Sequence, residues 1–212
     1  MIKMIKNMAL DVLPDVWPVL IIITVIACSL RICYLVKNKQ KFILHKELVS
    51  LIFILYILCL FEVVTFQDVN FGTSNFIPFK EIFRYDVGSR LFVKNIVGNI
   101  LLFLPYGYFV SHYLDNKKAS LILFLTLIVS STIELVQLKI GRTFDIDDII
   151  LNIVGGLIGY LIYLVIDGIR DRLPQVFRND AFVNFAVISI IILVIMYSFN
   201  LNAFTWFGLL IN

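Results

Sequence analysis

The sequence predicts an all-α protein, a polytopic bundle of transmembrane helices. Of its 212 residues, 60% are hydrophobic and only 16% are charged, and the mean hydropathy is +0.95. Soluble domains are about 45–50% apolar and about 25% charged, so the composition excludes an ordinary soluble protein. The apolar residues form long runs without the alternation that is typical of a transmembrane β-barrel.

Six runs are long enough for a span, which needs about 20 mostly apolar residues. The prediction is therefore about six spans, within a range of about five to seven. The runs cover residues 14–36, 48–66, 95–113, 119–138, 149–166 and 182–200. The uncharged tail, 201–212, extends the last run or lies along the interface. The first run lacks a small-residue cleavage site, which favours a span over a signal peptide.

Basic residues predict the orientation of these spans. The first, third and fifth connectors share one face and carry Lys37, Lys39, Lys41 and Lys46, then Lys117 and Lys118, then Arg170, Arg172 and Arg178. Lys and Arg accumulate in cytoplasmic connectors, so this face is predicted to be cytoplasmic and both termini extracytoplasmic. The second connector also carries basic residues, on the other face, which opposes this assignment. The positive net charge belongs to the connectors and indicates no nucleic-acid partner.

Counting the crossings places polar groups from four helices at one membrane face. The second and fourth spans end at the face where the third and fifth begin. The polar residues expected there are Glu62, Asn95, Asn99, Glu134, Gln137, Arg142, Asp145, Asp147, Asp148 and Asn152. We call this set the polar cluster. An ionisable residue inside a membrane span is a candidate for function.

Glu134, Gln137 and Ser130 share one face of the fourth helix, because residues three or four apart are neighbours on a helix. One interpretation is a pocket lining in which Glu134 binds a cation or transfers a proton. The alternative is adhesion between helices, since hydrogen bonds across membrane bundles contribute about 0.6 kcal/mol each.

Arg142 precedes three aspartates, Asp145, Asp147 and Asp148. The last two open the fifth helix, where carboxylates suit the positive end of the helix dipole and cap free N–H groups. With neighbouring amides, two carboxylates also suit a hard divalent cation, and Arg142 suits a phosphate. An internal Arg–Asp lock is a third interpretation.

Four further residues indicate how the helices pack. Pro105 is expected to kink the third span, and Gly155, Gly156 and Gly159 are expected to give the fifth a close-contact face. Asn95 and Asn99 share one face of the third span, and we expect the carboxylates of the fourth span as their partners. The second connector predicts an amphipathic helix on the outer surface, or a lid over the polar cluster.

Established catalytic motifs are absent from the sequence, including HExxH, GxSxG and the P-loop. His45 and His112 are expected near the opposite face, which argues against a histidine centre in the polar cluster. No cofactor is predicted, and whether the aspartates bind a metal stays open.

Three blocks, SNFIPF, NIVGNILLFLPYGYF and STIELVQLKIGRTFDIDDIILNIVGGLIGYLI, together resemble the VanZ-like family of bacterial membrane proteins. The resemblance runs from about Asn75 to Ile162 and includes Pro105 and most of the polar cluster. It divides the chain into a first helix with its basic connector (1–47), a VanZ-like core of four helices (48–166), and a basic connector with a last helix (167–212). It implies a bacterial envelope location and a link to resistance against teicoplanin, a lipid-tailed glycopeptide.

Three functions are therefore considered. The first is a membrane factor without defined enzymatic activity that lowers glycopeptide or lipoglycopeptide susceptibility by altering the outer leaflet or binding an envelope lipid or lipid-linked precursor. The second is an enzyme acting on a lipid-linked phosphate or glycan, with Arg142 on the phosphate, a divalent ion on the aspartates and Glu134 as general base. The third is a small carrier in which Glu134 exchanges a proton. The first is preferred, with the bilayer as the general partner.

Overall fold

The computed structural model describes residues 2–65, 74–115 and 117–198, and it is all-α over these residues. The helices are α1 (Ile2–Lys37), α2 (Leu44–Thr65), α3 (Arg90–Leu114), α4 (Ala119–Lys139), α5 (Ile146–Arg172), α6 (Gln175–Arg178) and α7 (Asp180–Ser198). A short 3-10 turn, Ile82–Arg84, lies in the connector between α2 and α3. The predicted fold class is confirmed.

Five of these helices are long and apolar enough to cross a membrane. The spans are Trp17–Lys37, Leu44–Val64, Arg90–Leu114, Ala119–Lys139 and Ile146–Arg172. Helix α7 is apolar over Asp180–Val194. The last two residues of the predicted sixth span, and the tail 201–212, lie outside the described residues. The chain is therefore a multi-pass membrane protein.

Like α2, helices α3 and α5 begin earlier than the apolar runs predict. Helix α3 begins at Arg90 because the Ser89 hydroxyl accepts a hydrogen bond from the N–H of Phe92 at 3.1 Å and caps the first turn. A π-helical stretch, Val93–Val97, then carries the helix into its apolar part. Helix α5 begins at Ile146 because Asp145 is its N-cap. Charged residues at both starts hide these turns from a hydropathy count.

Helices α3 and α5 meet main chain to main chain. A Cβ added to Gly159 would lie 2.0 Å from the Leu104 carbonyl oxygen, and one added to Gly155 would lie 2.3 Å from that of Ile100. Gly107 of α3 approaches the carbonyl of α5 residue Gly156 equally closely. Small residues permit such approach in membrane bundles. This glycine seam, Gly107 with Gly155, Gly156 and Gly159, holds the two helices together.

Helix α4 packs on the other side of α5. A Cβ at Gly156 would lie 2.6 Å from the Thr126 hydroxyl oxygen. The inward face of α4 is a buried stripe at helical spacing, consisting of Ile122, Thr126, Ser130, Glu134 and Gln137. Polar residues on this stripe therefore point into the bundle and away from lipid.

Helix α2 covers α3 through a small aromatic and aliphatic core. Leu60, Phe103 and Tyr106 form its buried centre. The phenol of Tyr56 donates to the Leu102 carbonyl at 2.7 Å, in the part of α3 that contains Pro105. Proline lacks the N–H that would continue the helix ladder, and a side chain from α2 supports the helix there.

The opposite end of the bundle carries its own charged groups. The Lys117 ammonium lies 2.6 Å from a carboxylate oxygen of Asp167, and the Tyr163 phenol donates to Asp115 at 3.0 Å. These groups follow α3 and lie near the end of α5, far along the chain from the polar cluster. This end of the bundle is therefore suited to control substitutions for those made in the polar cluster.

Candidate functional site

Polar residues converge where α2 and α4 end and α3 and α5 begin. The Gln137 amide and the Arg142 guanidinium both donate to the carbonyl of Val64, at 3.3 and 2.8 Å. These bonds join the end of α4 and its following loop to the last turn of α2. Helix α2 thus enters the site through its main chain, and the predicted member Glu62 forms no hydrogen bond with the cluster residues that the structure describes.

Glu134 is one of the two most deeply buried carboxyls of the site, with 1% of its surface exposed. Its Oε2 accepts a hydrogen bond from the N–H of Asp145 at 2.8 Å. Asp145 in turn caps α5, because its Oδ1 accepts from the N–H of Asp147 at 2.9 Å. The chain entering α5 is therefore fixed against the inward face of α4.

The Asp145 carboxyl also accepts a hydrogen bond from the Asn75 amide at 2.9 Å. Burial raises the pKa of Asp145, while the bonds from Asn75 and from the Asp147 N–H oppose that rise. Asn75 was not singled out as a site residue from the sequence. Its position in the first resemblance block, SNFIPF, is the signal that could have found it.

The connector between α2 and α3 is fastened to the start of α5 by Asp147. This carboxylate is 1% exposed and accepts main-chain N–H bonds from Phe79, from Glu81 at 2.7 Å and from Ile82 at 3.3 Å. A lone parallel bridge between Asn75 and Asp145 adds to the attachment. Asp147 therefore binds the connector, and the cap that was expected of it is supplied by Asp145.

The amphipathic helix predicted for this connector is wrong. In the described part of the connector, residues 74–89, the helical structure is limited to the 3-10 turn Ile82–Arg84. The main chain here bends so that the N–H groups of Phe79, Glu81 and Ile82 converge on the Asp147 carboxylate of α5. The segment lies over the N-terminal end of α5.

Asp148 links α5 to α3. Its Oδ1 accepts a hydrogen bond from the Asn99 amide. Asn95, one turn earlier, lies instead beside the phenol of Tyr85 in the connector. The expectation that carboxylates of α4 would bind these two asparagines is wrong, because the glycine seam sets α3 against α5.

Arg142 does not form the Arg–Asp lock considered from the sequence. Within the described residues, no carboxylate oxygen lies within 4.0 Å of its guanidinium. It is near enough to interact electrostatically with Glu134 and Asp148. One of its N–H groups donates to the Val64 carbonyl, and its other donors form no hydrogen bond with the residues that the structure describes.

Asn152 lies one turn deeper than Asp148. It is 4% exposed, and its amide nitrogen donates to the Ser130 hydroxyl oxygen at 2.9 Å. The Asn152 Oδ1 atom is buried and has no hydrogen-bond partner among the described residues. Buried polar atoms are nearly always paired, so this oxygen is unusual.

A metal held by the three aspartates does not fit this arrangement. In the part of the chain that the structure describes, no group of three or more His, Cys, Asp or Glu side chains is placed to hold one. Asp145 and Asp147 already accept main-chain N–H bonds at the start of α5. What the site offers a ligand is Glu134, Asp148, Asn152 and Arg142.

Residues 48–167, more than half of the chain, match the family model described as VanZ/LLP1. The chain belongs to the VanZ/LLP1 family. The matched segment contains most of α2, all of α3 and α4, most of α5 and every residue of the polar cluster. The chain is also similar to Protein VanZ of Enterococcus faecium, with 23% identity over 170 residues, covering 78% of this chain and 96% of that protein. No solved structure matches it.

Proposed function

We propose that this VanZ/LLP1 protein lowers bacterial susceptibility to glycopeptide and lipoglycopeptide antibiotics of the teicoplanin type. The observation that carries the proposal is the family match over residues 48–167, which coincides with the four helices around the polar cluster. The likeness to Protein VanZ over most of both chains supports it.

In this proposal the polar cluster lies in the outer leaflet and binds the head group of an envelope lipid or lipid-linked precursor. The distribution of Lys and Arg among the connectors supports that orientation. Arg142 has N–H donors beyond the one given to Val64, and a guanidinium suits a phosphate or carboxylate on such a head group. Binding would change which target the outer leaflet presents to the antibiotic.

The test is antibiotic susceptibility of a deletion strain complemented with cluster variants. Glu134→Gln, Arg142→Ala and Asp148→Asn each remove one charge from the site. We expect each variant to lower the minimum inhibitory concentration of teicoplanin to that of the deletion strain, at wild-type protein levels.

The matched control is Asp171→Asn, which makes the same chemical change as Asp148→Asn near the far end of α5, on an exposed residue. It should retain wild-type resistance. If all three cluster variants accumulate normally and also retain full resistance, the cluster is a structural feature and the proposal fails.

A further inference from the structure

The unpaired oxygen of Asn152 is the starting point. A buried acceptor without a partner destabilises the folded protein, and the Oδ1 atom of Asn152 is such an acceptor among the described residues. Turning the amide would pair this oxygen with the Ser130 hydroxyl, but the amide nitrogen, which now donates to Ser130 at 2.9 Å, would then lose its partner. In its present orientation the oxygen can be satisfied by a cation or by a hydrogen-bond donor.

The register of α4 and α5 places two carboxyls next to this oxygen. The helices are antiparallel neighbours, and Ser130 faces Asn152. One turn toward the polar end is four residues forward along α4 and four residues back along α5. This step brings Glu134 opposite Asp148. The two carboxyls are near enough to interact electrostatically.

The charges in this position are not balanced by the described side chains. The protein satisfies one oxygen of each carboxyl, through the N–H of Asp145 for Glu134 and through Asn99 for Asp148. Arg142 supplies one positive charge to two carboxyls, without a close ion pair to either. Two like charges in a buried site are relieved by a proton on one carboxyl or by a compensating cation.

Two carboxylates, an amide carbonyl and a nearby hydroxyl are the oxygen donors that hard cations bind. We infer that Glu134, Asp148 and Asn152, with the Ser130 hydroxyl beside them, form a site between α4 and α5 for a small hard metal cation. It differs from the three-aspartate site rejected above, because it uses neither Asp145 nor Asp147. The inference rests on the proposed function only in assigning a ligand to the same polar cluster.

The experiment is thermal unfolding of the purified full-length protein in detergent near neutral pH. Choline chloride is replaced at constant ionic strength by NaCl, KCl, MgCl2 or CaCl2. We expect at least one of these salts to raise the Tm of the wild type along a saturating curve, because a ligand that binds only the folded state stabilises it.

Three variants test the assignment. Glu134→Gln and Asp148→Asn should weaken the apparent cation affinity at least tenfold. Asn152→Leu removes the unpaired oxygen at similar volume, and Ser130 can then bond within its own helix. This variant should lose the cation response while keeping or exceeding the wild-type Tm in choline chloride, which also shows that it folds.

Asp171→Asn serves as the control and should respond to the cation as the wild type does. A wild-type Tm that is equal in all five salts overturns the inference, and so does a Tm rise of equal size in the wild type and Asn152→Leu. The measurement is protein unfolding, so a negative result would not contradict the proposed role in resistance. Conversely, loss of resistance in Glu134→Gln would not by itself support the cation site.

Discussion

Adding one methyl group at Gly159 should separate α3 from α5. The new Cβ would lie 2.0 Å from the Leu104 carbonyl oxygen and 2.7 Å from the Tyr108 nitrogen. Since real Cβ contacts are essentially never shorter than 3.0 Å, the helices must move apart by about 1 Å at this point. Both obstructing atoms are main chain, so no side-chain rotation relieves the clash.

Overpacking of this kind typically lowers the free energy of unfolding by about 1–3 kcal/mol, and we expect Gly159→Ala to lie at the upper end. The movement also stretches the Asn99–Asp148 bond between the same helices. Gly168→Ala is the matched control, because a Cβ there meets nothing within 4 Å. Alanine is the better helix former, so this control should gain about 0.5–1 kcal/mol.

Both variants can be measured by SDS-titrated unfolding of the purified protein in mixed micelles, followed by circular dichroism. The expected result is a midpoint at clearly lower SDS fraction for Gly159→Ala and an unchanged or higher midpoint for Gly168→Ala. Equal midpoints for the two variants would refute main-chain contact between α3 and α5.

Three further predictions concern the polar end. Asp147→Asn should lower the free energy of unfolding by about 1.5–3 kcal/mol, because it weakens charge-assisted bonds to the connector, and amide hydrogens of residues 79–82 should exchange faster by mass spectrometry. Burial raises the pKa of Asp145 above 3.8, so its stabilising contribution is present below pH 3.8 and is lost as the pH rises through the raised value. The Tm of Asp145→Asn minus that of the wild type should therefore increase with pH above 3.8. In a cysteine-free background, a cysteine at Lys139 should react with an impermeant thiol reagent on intact cells, and one at Asp171 only after permeabilisation.

Each of these has a result that contradicts it. Asp86→Asn is the control, because it changes an exposed carboxylate of the same connector. If the amide hydrogens of residues 79–82 exchange equally fast in this variant, the effect does not come from Asp147. If the Tm difference between Asp145→Asn and the wild type stays constant as the pH rises above 3.8, Asp145 does not titrate with a raised pKa in the folded state. Labelling of the Asp171 cysteine on intact cells, with Lys139 protected, would reverse the predicted orientation.

The spans could be predicted because lipid imposes length and hydropathy on a segment without reference to the rest of the fold. The same counting predicted that Glu134, Arg142 and Asp148 share one end of the bundle, which is where the structure places them. The starts of the helices were harder to predict from the sequence. Arg90 and Lys94 are charged, and only the Ser89 cap shows that α3 already begins there.

Partners across the chain could not be predicted. The connector is shaped by Asp147, more than sixty residues further along, and no local pattern contains that contact. Asn99 bonds to α5 because α3 and α5 meet through their glycine main chains. The apolar runs in the sequence do not indicate which helices are neighbours. The Gly155 to Gly159 spacing indicated close packing without naming the partner helix.

The glycine seam also decides how a large amphiphile could reach Glu134. Where α3 touches α5, and where Gly156 touches Thr126 of α4, the gap is narrower than an acyl chain. Lateral entry from the bilayer is therefore closed on the two flanks that α5 borders. Any lipid-tailed ligand would therefore have to reach Glu134 by a route that does not pass between α5 and either of these neighbours.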